Sequence, residues 1–599
     1  MTLSADRLAA LRARLSADGL DGFVVPLTDE HMSEYVGSYA GRLEWLTGFK
    51  GSAGAAVVLA DKAAIFTDGR YTVQVRSQVD GDDFSYESVP ETSPAEWLKA
   101  HAAKGARIGY DPWLHSRDWV RGASDGLKSV GAELVAVERN PIDAVWTDRP
   151  QPSVAKLVVQ PDDLAGRNSA DKRHAIADWL GDKGADAAVL AALDSIAWTF
   201  NIRGQDVSHT PVALAFAIVH ADGTADLFTA REKVGDEIAQ HLGNGVRLHD
   251  RSDFEPYLRG LAGKTVAVDP ERSVSAIARA LEEGGATILS ARDPAVLPKA
   301  IKNHAEIAGH HAAQARDGAA VARFLRWIDD TAPAGGVDEM IAADKLLDLR
   351  REHGEVVDLS FDTISAFGAN GALPHYKGTA ESNVPLTPGS LYLVDSGAQY
   401  RDGTTDITRT VPIGEPTAEM RDRFTRVLQG HIGIATAVFP KGTRGSQLDS
   451  FARAPLWRAG LDYAHGTGHG VGAFLSVHEG PQRISPVGSS QSGGDEPLVA
   501  GMMLSNEPGY YKVGDYGIRI ENLVLVVPRE IPGADKDMLG FETLTFVPID
   551  RRLIDVAMLS DGERQWVDDY HAAVLAKLGP HLEGEDRTWL EKECAPLAR

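Results

Sequence analysis

The sequence predicts an α+β protein of three domains, in which two related α/β domains precede a larger α+β domain. The chain has 599 residues, which is too many for one hydrophobic core. Two polar stretches that each carry two prolines, 147–153 and 291–303, interrupt the helix and strand patterns. We interpret them as linkers between domains at about 1–150, 155–298 and 300–599.

The first two domains are expected to share one fold. Residues 4–25 and 169–190 each have the pattern of an amphipathic helix, a glycine-containing turn and a short apolar strand. Further along each domain, apolar strands are joined by an aspartate-bearing turn, ADKA at 60–63 and ADGTA at 221–225. A duplicated domain explains this parallel. The alternative is that any two α/β stretches align loosely.

The third domain is expected to begin with helices and to continue with strands. Residues 299–330 carry apolar side chains at near-helical spacing, and a second helix is predicted over about 337–352. From Val394 onward, strands alternate with glycine-rich turns, and residues 416–462 supply further helices. This mixture is typical of an α+β domain.

The composition narrows the classes of partner. The chain has 85 acidic and 61 basic residues, a formal net charge of -24. Such a surface repels phosphates and anionic lipids, so nucleic acid and membrane are not expected partners. Cys594 is the single cysteine, which excludes an internal disulfide and a thiolate metal site. The N-terminal residues lack a secretory pattern and no apolar run is as long as a membrane span, so we expect a cytoplasmic protein.

Four short motifs in the last half of the chain carry five candidate metal ligands. The motifs are VDSGAQYRDGTTDITRT (394–410), HGTGHGVG (465–472), NEPGYY (506–511) and GIRIEN (517–522), and the candidates are Asp395, Asp406, His469, Glu507 and Glu521. Four carboxylates around one point repel one another unless a strong positive charge lies between them. Two divalent cations that share carboxylates would supply this charge, which predicts a two-metal hydrolase.

The first motif is expected to form a hairpin with its turn at YRDG (400–403), which would make Asp395 and Asp406 neighbours. Two carboxylates side by side on adjacent strands are unfavourable without a cation. The alternative is that both aspartates only stabilise turns, as aspartate often does.

The histidines of the second motif, His465 and His469, are four residues apart, a spacing that chelates zinc on a helix. Three glycines within 465–470 argue against a helix and favour a loop or strand whose backbone comes close to a ligand. We therefore predict His469 as a metal ligand and His465 as a substrate contact, with a structural role as the alternative. His375 in ALPHYKG and His478 in LSVHEGP have proline- or glycine-flanked contexts that suit a cleft.

The last two motifs place their glutamates on strands. GIRIENLVLVV (517–527) is expected to be one strand, with Arg519 beside Glu521, where Arg519 could orient that carboxylate or bind substrate. Glu507 is expected at a strand end before a Pro-Gly turn, directed into a cleft. In the alternative interpretation the glutamate on this strand only caps or pairs with Arg519.

In this order the motifs resemble the pita-bread metallopeptidase family, which includes methionine aminopeptidase, prolidase, aminopeptidase P and creatinase. The stretches 33–54, 67–71, 193–211, 302–318 and 540–571 are also similar to the three-domain, cytosolic type of aminopeptidase P. The resemblance implies a C-terminal pita-bread catalytic domain preceded by two related α/β creatinase-N-like domains. It implies metal-dependent hydrolysis of the bond between an N-terminal residue and a following proline.

The resemblance also implies roles at matched positions. The family's five metal ligands fall on the candidates named above, with two divalent metal ions, and manganese is favoured over zinc or cobalt. Catalytic roles fall on His375, His465, His478 and Glu507, and substrate-binding roles on Tyr511 and Arg519.

The implied partners are peptides with proline at the second position and a second copy of the chain, because this type forms homodimers. Glu34 is a candidate to reach the neighbouring subunit's cleft. The Gly/Ser-rich stretch 484–501 is longer than the family pattern and is expected to be a surface loop.

Two other functions stay open. A prolidase would need a group that recognises the free C-terminal carboxylate of a dipeptide. A non-catalytic peptide-binding module would typically have lost metal ligands, whereas all five candidates are present.

Overall fold

The structure is a computed structural model, and it describes residues 3–89, 91–352, 354–487 and 493–598. It divides into two compact units, Met1–Val296 and Leu297–Arg599. Residues 488–492 of the expected surface loop lie outside the described residues. Across the described ranges, every helix is too short or too polar to cross a lipid bilayer.

The first unit begins with an α/β domain built on a six-stranded sheet. Its strands are β1 (Gly22–Pro26), β2 (Ala55–Leu59), β3 (Ala63–Thr67), β4 (Ser85–Ser88), β5 (Arg107–Tyr110) and β6 (Glu133–Ala136). Its helices are α1 (Leu3–Ala17), α2 (Arg42–Thr47), α3 (Gln74–Gln78), α4 (Pro94–His101), α5 (Arg117–Ser129) and α6 (Pro141–Val145).

A second α/β domain follows in the same unit. Its strands are β7 (Val158–Val159), β8 (Ala187–Leu190), β9 (Ile202–Arg203), β10 (Ala215–His220), β11 (Ala225–Thr229), β12 (Val246–His249), β13 (Thr265–Val268) and β14 (Thr287–Ser290). Its helices are α7 (Asp162–Ala165), α8 (Ser169–Lys183), α9 (Leu193–Phe200), α10 (Asp236–Leu242), α11 (Phe254–Arg259) and α12 (Ser275–Glu283).

The two sheets share one topology, which confirms the predicted relationship between the domains. The first has the order β4-β3-β2-β1-β5-β6 and the second the order β12-β11-β10-β8-β13-β14. The directions also correspond, because the central strand of each pairs antiparallel with one neighbour and parallel with the other. The predicted ADKA and ADGTA turns join β2 to β3 and β10 to β11, both as antiparallel hairpins.

The second unit is the predicted α+β domain. Its helices are α13 (Val296–Ala300), α14 (His304–Thr331), α15 (Glu339–Arg351), α16 (Ala418–Ala435), α17 (Gly445–Trp457), α18 (Asp561–Leu578) and α19 (Gly584–Glu593). Its strands are β15 (Asp358–Leu359), β16 (Ile364–Phe367), β17 (Ser390–Ser396), β18 (Ala398–Tyr400), β19 (Gly403–Thr404), β20 (Ile407–Ile413), β21 (Val438–Pro440), β22 (Gly468–Gly470), β23 (Glu479–Ile484), β24 (Met503–Asn506), β25 (Gly509–Lys512), β26 (Tyr516–Arg519), β27 (Asn522–Arg529) and β28 (Met538–Thr543).

The five candidate metal ligands lie on or directly beside the strands of two sheets of this unit. One has the order β16-β17-β20, and the other the order β21-β28-β27-β24-β22-β23. Helix α16 buries Phe424, Val427 and Leu428 in the same apolar core as Ile518 and Ile520. Because side chains alternate across a strand, burial of Ile518 in β26 turns the adjacent Arg519 to the other side.

The prediction of one continuous strand over 517–527 is wrong. Strand β26 ends at Arg519 and pairs with β25, whereas β27 begins at Asn522 and pairs with β24 and β28. The intervening Glu521 instead donates its backbone N–H to the carbonyl of Thr408, at 3.2 Å. The chain changes partner strands here. The alternation of apolar side chains in the sequence continues through this change, so the pattern alone predicts a single strand.

Candidate metal centre

Asp395 and Asp406 lie next to each other, as the predicted hairpin requires. Strands β17 and β20 pair antiparallel with Asp395 opposite Thr408, and Asp406 immediately precedes β20. The YRDG turn lies between β18 and β19, which form their own small antiparallel pair. Both aspartates are buried, at 7% and 4% exposed. Among the described residues, no donor reaches Oδ1 of Asp395, so this buried oxygen lacks a protein partner.

His469 extends toward two of the carboxylates from β22. Its Nε2 lies 3.5 Å from Oδ2 of Asp406 and 3.4 Å from Oε1 of Glu507. Its Nδ1 lies 3.0 Å from the carbonyl of Gly470, which can only accept, so Nδ1 carries the proton. Nε2 is then the ring atom that faces the two carboxylates, and a cation placed between them would be bound by this nitrogen.

The glycines beside His469 let neighbouring backbones approach the strand. A Cβ at Gly468 would lie 2.0 Å from the carbonyl oxygen of Ser505, and one at Gly470 would lie 2.6 Å from that of Glu479. Larger residues would push β22 away from both neighbouring strands. The prediction of a loop or strand here, rather than a helix, is confirmed, since Gly468–Gly470 form β22.

Glu507 and Glu521 complete the group. Glu507 directly follows β24 as predicted, and its Oε1 accepts a hydrogen bond from the Ser505 hydroxyl at 3.1 Å. Glu521 is 1% exposed, and its Oε2 accepts from the Thr408 hydroxyl at 2.8 Å. Within the described ranges, Asp406, His469 and Glu521 each bring one ligand atom within 4.8 Å of the others.

Electrostatics favours a cation at this point. Burial, together with repulsion from Glu521 and Asp395, raises the pKa of Asp406 well above its usual range. Burial and the charges of Asp395 and Glu507 do the same to the pKa of Glu521. Burial, opposed by Arg519, raises the pKa of Glu507 to about 7. The carboxylates of this site would stay ionised together only beside a positive charge. Several carboxylate oxygens and one imidazole nitrogen are ligands that suit divalent metal ions.

Arg519 lies on the carboxylate side of the site but has a different partner from the one predicted. Its Nη2 lies 2.5 Å from Oδ2 of Asp395, and its Nε donates to the Thr408 hydroxyl at 3.1 Å. Although burial opposes its charge, Tyr511 and Asp395 raise the pKa of Arg519, so it stays protonated. Arg519 therefore orients Asp395, and Thr408 contacts Glu521.

Tyr511 connects this arginine to His465. The phenol oxygen accepts from Nη1 of Arg519 at 2.6 Å and lies 2.8 Å from Nε2 of His465. Because Nδ1 of His465 faces the carbonyl of Gly466 at 2.8 Å, Nε2 of a neutral ring would accept from the phenol. Burial raises the pKa of Tyr511 to about 12, which keeps the hydroxyl protonated as a donor.

The remaining predicted histidines lie near these groups. The rings of His478 and His469 are 4.3 Å apart between centroids. His375 is half-buried, and the carbonyl of the preceding Pro374 accepts from Nη2 of Arg519 at 3.2 Å. Glu34 belongs to the first unit, where it accepts from the Ser52 hydroxyl at 3.0 Å.

Two residues that support the site, Ser505 and Arg453, were not predicted from the sequence. Ser505 accepts from the His469 backbone N–H at 3.0 Å and lies two residues before Glu507, a spacing that is visible in LSNE. Arg453 of α17 donates to the carbonyl of His465 at 2.7 Å and to Asp449 at 2.6 Å. No local pattern predicts this contact, because it joins a helix to a loop that follows it.

Comparison with family models identifies the class of protein. The model of metallopeptidase family M24 matches residues 308–528, and the model of its C-terminal region matches 537–597. Models of the creatinase/prolidase N-terminal domain match residues 7–145 and 148–306. The fold is therefore that of a pita-bread metallopeptidase with creatinase-type N-terminal domains.

Full-length relatives narrow the class further. The chain is 40% identical over 617 residues to a probable Xaa-Pro aminopeptidase P of Aspergillus clavatus, covering 100% of this chain and 93% of the relative. It is 41% identical over 636 residues to aminopeptidase P2 of Arabidopsis thaliana, covering 99% and 89%. The crystal structure of X-prolyl aminopeptidase from Caenorhabditis elegans, described as a cytosolic enzyme with a di-nuclear active site, matches with a TM-score of 0.93 and 34% identity over 100% of both chains. The chain belongs to the Xaa-Pro aminopeptidase P family of M24 metallopeptidases.

Proposed function

We propose that this protein is a metal-dependent Xaa-Pro aminopeptidase, which removes an N-terminal residue that precedes proline. The observation that carries the proposal is the convergence of four carboxylates and Nε2 of His469 in a chain similar over its full length to Xaa-Pro aminopeptidases. Burial and mutual repulsion raise the pKa values of these carboxylates, and bound cations would stabilise their ionised forms.

The metal ligands in this proposal are the five residues predicted from the sequence: Asp395, Asp406, His469, Glu507 and Glu521. Two divalent ions, manganese by resemblance, would activate water for attack and stabilise negative charge on the peptide carbonyl. Oδ1 of Asp395, which accepts no hydrogen bond from the described residues, and Nε2 of His469, whose Nδ1 faces the carbonyl of Gly470, would serve as metal-binding atoms.

Proton transfer is assigned to Glu507. Its carboxylate lies in the cluster, with Oε1 3.4 Å from Nε2 of His469, so it would reach a water held at this point. The Ser505 hydroxyl donates to Oε1 and keeps that oxygen oriented. Glu507 would accept the proton of the attacking water and deliver it to the nitrogen of the leaving proline.

Substrate contacts are assigned to the three histidines around the carboxylates. His478, whose ring lies beside that of His469, and His375 would donate hydrogen bonds to the carbonyl of the scissile bond. His465, Tyr511 and Arg519 form a hydrogen-bonded series that would line the proline side of the cleft. In this series the Tyr511 hydroxyl contacts both neighbouring side chains.

A prolidase and a non-catalytic peptide-binding module are less favoured. The named full-length relatives are Xaa-Pro aminopeptidases, and all five ligand positions are filled here. We further propose a cytosolic location and a homodimer. The cytosolic location is supported by the Caenorhabditis elegans enzyme, which is described as cytosolic. The homodimer rests on the family resemblance.

Hydrolysis of three peptides by metal-stripped protein tests the proposal. Arg-Pro-Pro, Ala-Pro and Ala-Ala-Ala are incubated with and without Mn²⁺, and the products are identified by mass spectrometry. Manganese-dependent release of arginine from Arg-Pro-Pro is expected. Cleavage of Ala-Pro alone would identify a prolidase, and no turnover with any divalent metal would favour the binding module.

A further inference from the structure

Glu339 is a buried carboxylate whose hydrogen bonds all go to the segment that carries His375. It is 1% exposed and occupies the first position of α15. Its Oε1 accepts from the backbone N–H of Phe367 at 2.7 Å, and its Oε2 accepts from the Tyr376 hydroxyl at 2.8 Å. The backbone N–H of Val384 adds a longer bond to Oε2, at 3.3 Å.

A second group of bonds closes the same segment on itself. The side-chain amide of Asn370 donates to both oxygens of Glu339, at 3.0 and 3.1 Å, and to the carbonyl of Ser382 at 3.0 Å. The Tyr376 hydroxyl also lies 2.9 Å from the Ser382 hydroxyl. One carboxylate therefore fixes the beginning, the middle and the end of residues 367–384.

Arg519 holds the segment from the opposite side. Its Nη2 contacts both Asp395 and the carbonyl of Pro374. His375 is thus placed between two anchored residues, Pro374 on the Arg519 side and Tyr376 on the Glu339 side. The residues on both sides of His375 are therefore held by side chains from outside residues 367–384.

A role for Glu339 in the helix alone does not explain this pattern. An acidic residue in the first turn interacts favourably with the helix dipole, and such a residue needs no further partner. The backbone N–H of Ile341, in the same first turn, donates to Oδ1 of Asp338 at 2.8 Å, so Asp338 already caps the helix. The four donors to Glu339 come from outside α15 and belong to one segment.

We propose that Glu339 is a positioning residue for hydrolysis, which acts by holding His375 against the scissile carbonyl. The inference rests on the proposed function, since it assigns His375 a substrate contact. The carboxylate of Glu339 accepts from four donors, and a carboxylate can only accept, so both of its oxygens find suitable partners. An amide in its place would direct N–H groups at other donors, and the segment would loosen.

A double-mutant cycle with Glu339→Gln and His375→Ala tests the coupling. In the wild-type background, Glu339→Gln is expected to lower kcat/KM for Arg-Pro-Pro by about 10- to 100-fold, the scale of a misplaced catalytic group. In the His375→Ala background, the same change is expected to lower it by less than about twofold. Met340→Gln, at the next and 42% exposed position of α15, is the matched control and is expected to leave kcat/KM unchanged.

Equal losses in the two backgrounds would overturn the proposal, because they would show that Glu339 does not act through His375. Tyr376→Phe removes only the phenol bond to Glu339 and provides a milder variant if Glu339→Gln folds poorly. It should show the same dependence on His375, and a loss independent of His375 would also count against the proposal.

Hydrogen exchange separates this inference from the proposed function. Residues 367–384 are expected to exchange faster in Glu339→Gln than in the wild type, whether or not the peptide assay detects turnover. Faster exchange in a protein without Xaa-Pro activity would support the role of Glu339 in holding residues 367–384 and would reject the proposed enzymatic function. Unchanged exchange in an active protein would reject the anchor alone.

Discussion

Arg519 and Asp395 form a buried ion pair, with Nη2 and Oδ2 2.5 Å apart, at the edge of the carboxylate cluster. The guanidinium donates in three further directions, to Thr408, Tyr511 and the carbonyl of Pro374. One side chain therefore connects a proposed metal ligand, the Tyr511–His465 pair and the His375 segment. Such a planar set of donors is specific to arginine.

Arg519→Lys is expected to lower kcat/KM for Arg-Pro-Pro by about 10- to 100-fold, because an ammonium cannot donate to all these groups at once. Steady-state kinetics on the manganese-loaded protein measures the effect. Arg529→Lys, at an exposed position of β27, is the control and should change kcat/KM by less than about twofold. Full activity in Arg519→Lys would show that the connections do not matter for turnover.

Metal binding is expected to release protons, and to release more of them as the pH falls below neutral. Burial raises the pKa of Glu507 to about 7, and it raises the pKa values of Asp406 and Glu521 further. Below these pKa values the metal-free site holds protons, which a metal ion must displace. The affinity for the metal ion therefore decreases as the pH decreases.

Calorimetric titration with Mn²⁺ in buffers of different ionisation enthalpy counts the released protons. We expect about one proton or more per chain at pH 6, and fewer at pH 8. Glu507→Gln should release fewer protons than the wild type at pH 6. Identical heats in all buffers at pH 6 would contradict the raised pKa values.

Gly517→Ala is expected to disturb both Arg519 and the His375 segment. A Cβ at Gly517 would lie 1.6 Å from the carbonyl oxygen of Gly371, so β26 and residues 368–372 must move apart. Overpacking of this kind typically costs about 1–3 kcal/mol of unfolding free energy. Both the melting temperature and kcat/KM should fall.

Gly562→Ala in α18 is the matched control, because a Cβ there meets no atom within 4 Å and alanine favours a helix. Its melting temperature should be unchanged or higher. If Gly517→Ala behaved like this control, the close approach of the two backbones would be wrong.

The first unit is expected to lose stability on acidification through His115. Burial lowers the pKa of His115 to about 4, below the unfolded value of about 6.5. Between these values the unfolded chain binds a proton that the folded chain does not, so stability falls as the pH falls. The expected contribution is about 1.4 kcal/mol per pH unit.

Hydrogen exchange of the α5 amides, corrected for intrinsic rates, measures this slope between pH 6.5 and 4.5. The ring of His115 packs 4.1 Å from that of Trp119 in α5, so opening of this helix exposes it. His115→Phe keeps an aromatic ring and removes the titration, and its slope should be shallower by about 1.4 kcal/mol per pH unit. Equal slopes would show that His115 is not neutral when folded.

The sequence predicted those parts of the structure that depend on nearby residues. The hairpin that joins Asp395 to Asp406 follows from a strand, a turn and a second strand within one motif. The duplicated sheets follow from repeated patterns of helix, turn and strand. Glycines around His469 predicted a loop or strand there, because a helix with so many glycines would be unstable.

What the sequence did not show depends on contacts between distant segments. Whether Arg519 pairs with Asp395 or Glu521 is decided by how β26 lies against β17 and β20, and no local pattern encodes that register. The change of partner strands at Ile520 is invisible for the same reason. Glu339 has the sequence context of an ordinary first-turn acid, and only the folded chain shows its donors.

Stepwise addition of Mn²⁺ to metal-free protein, with bound metal and Arg-Pro-Pro hydrolysis followed together, tests the central claim most directly. Activity is expected to rise with bound metal and to reach its maximum at about two ions per chain. Asp406→Asn should bind less metal and stay inactive at the same concentrations. Full hydrolysis of the Xaa-Pro bond by protein that retains no metal would contradict the account.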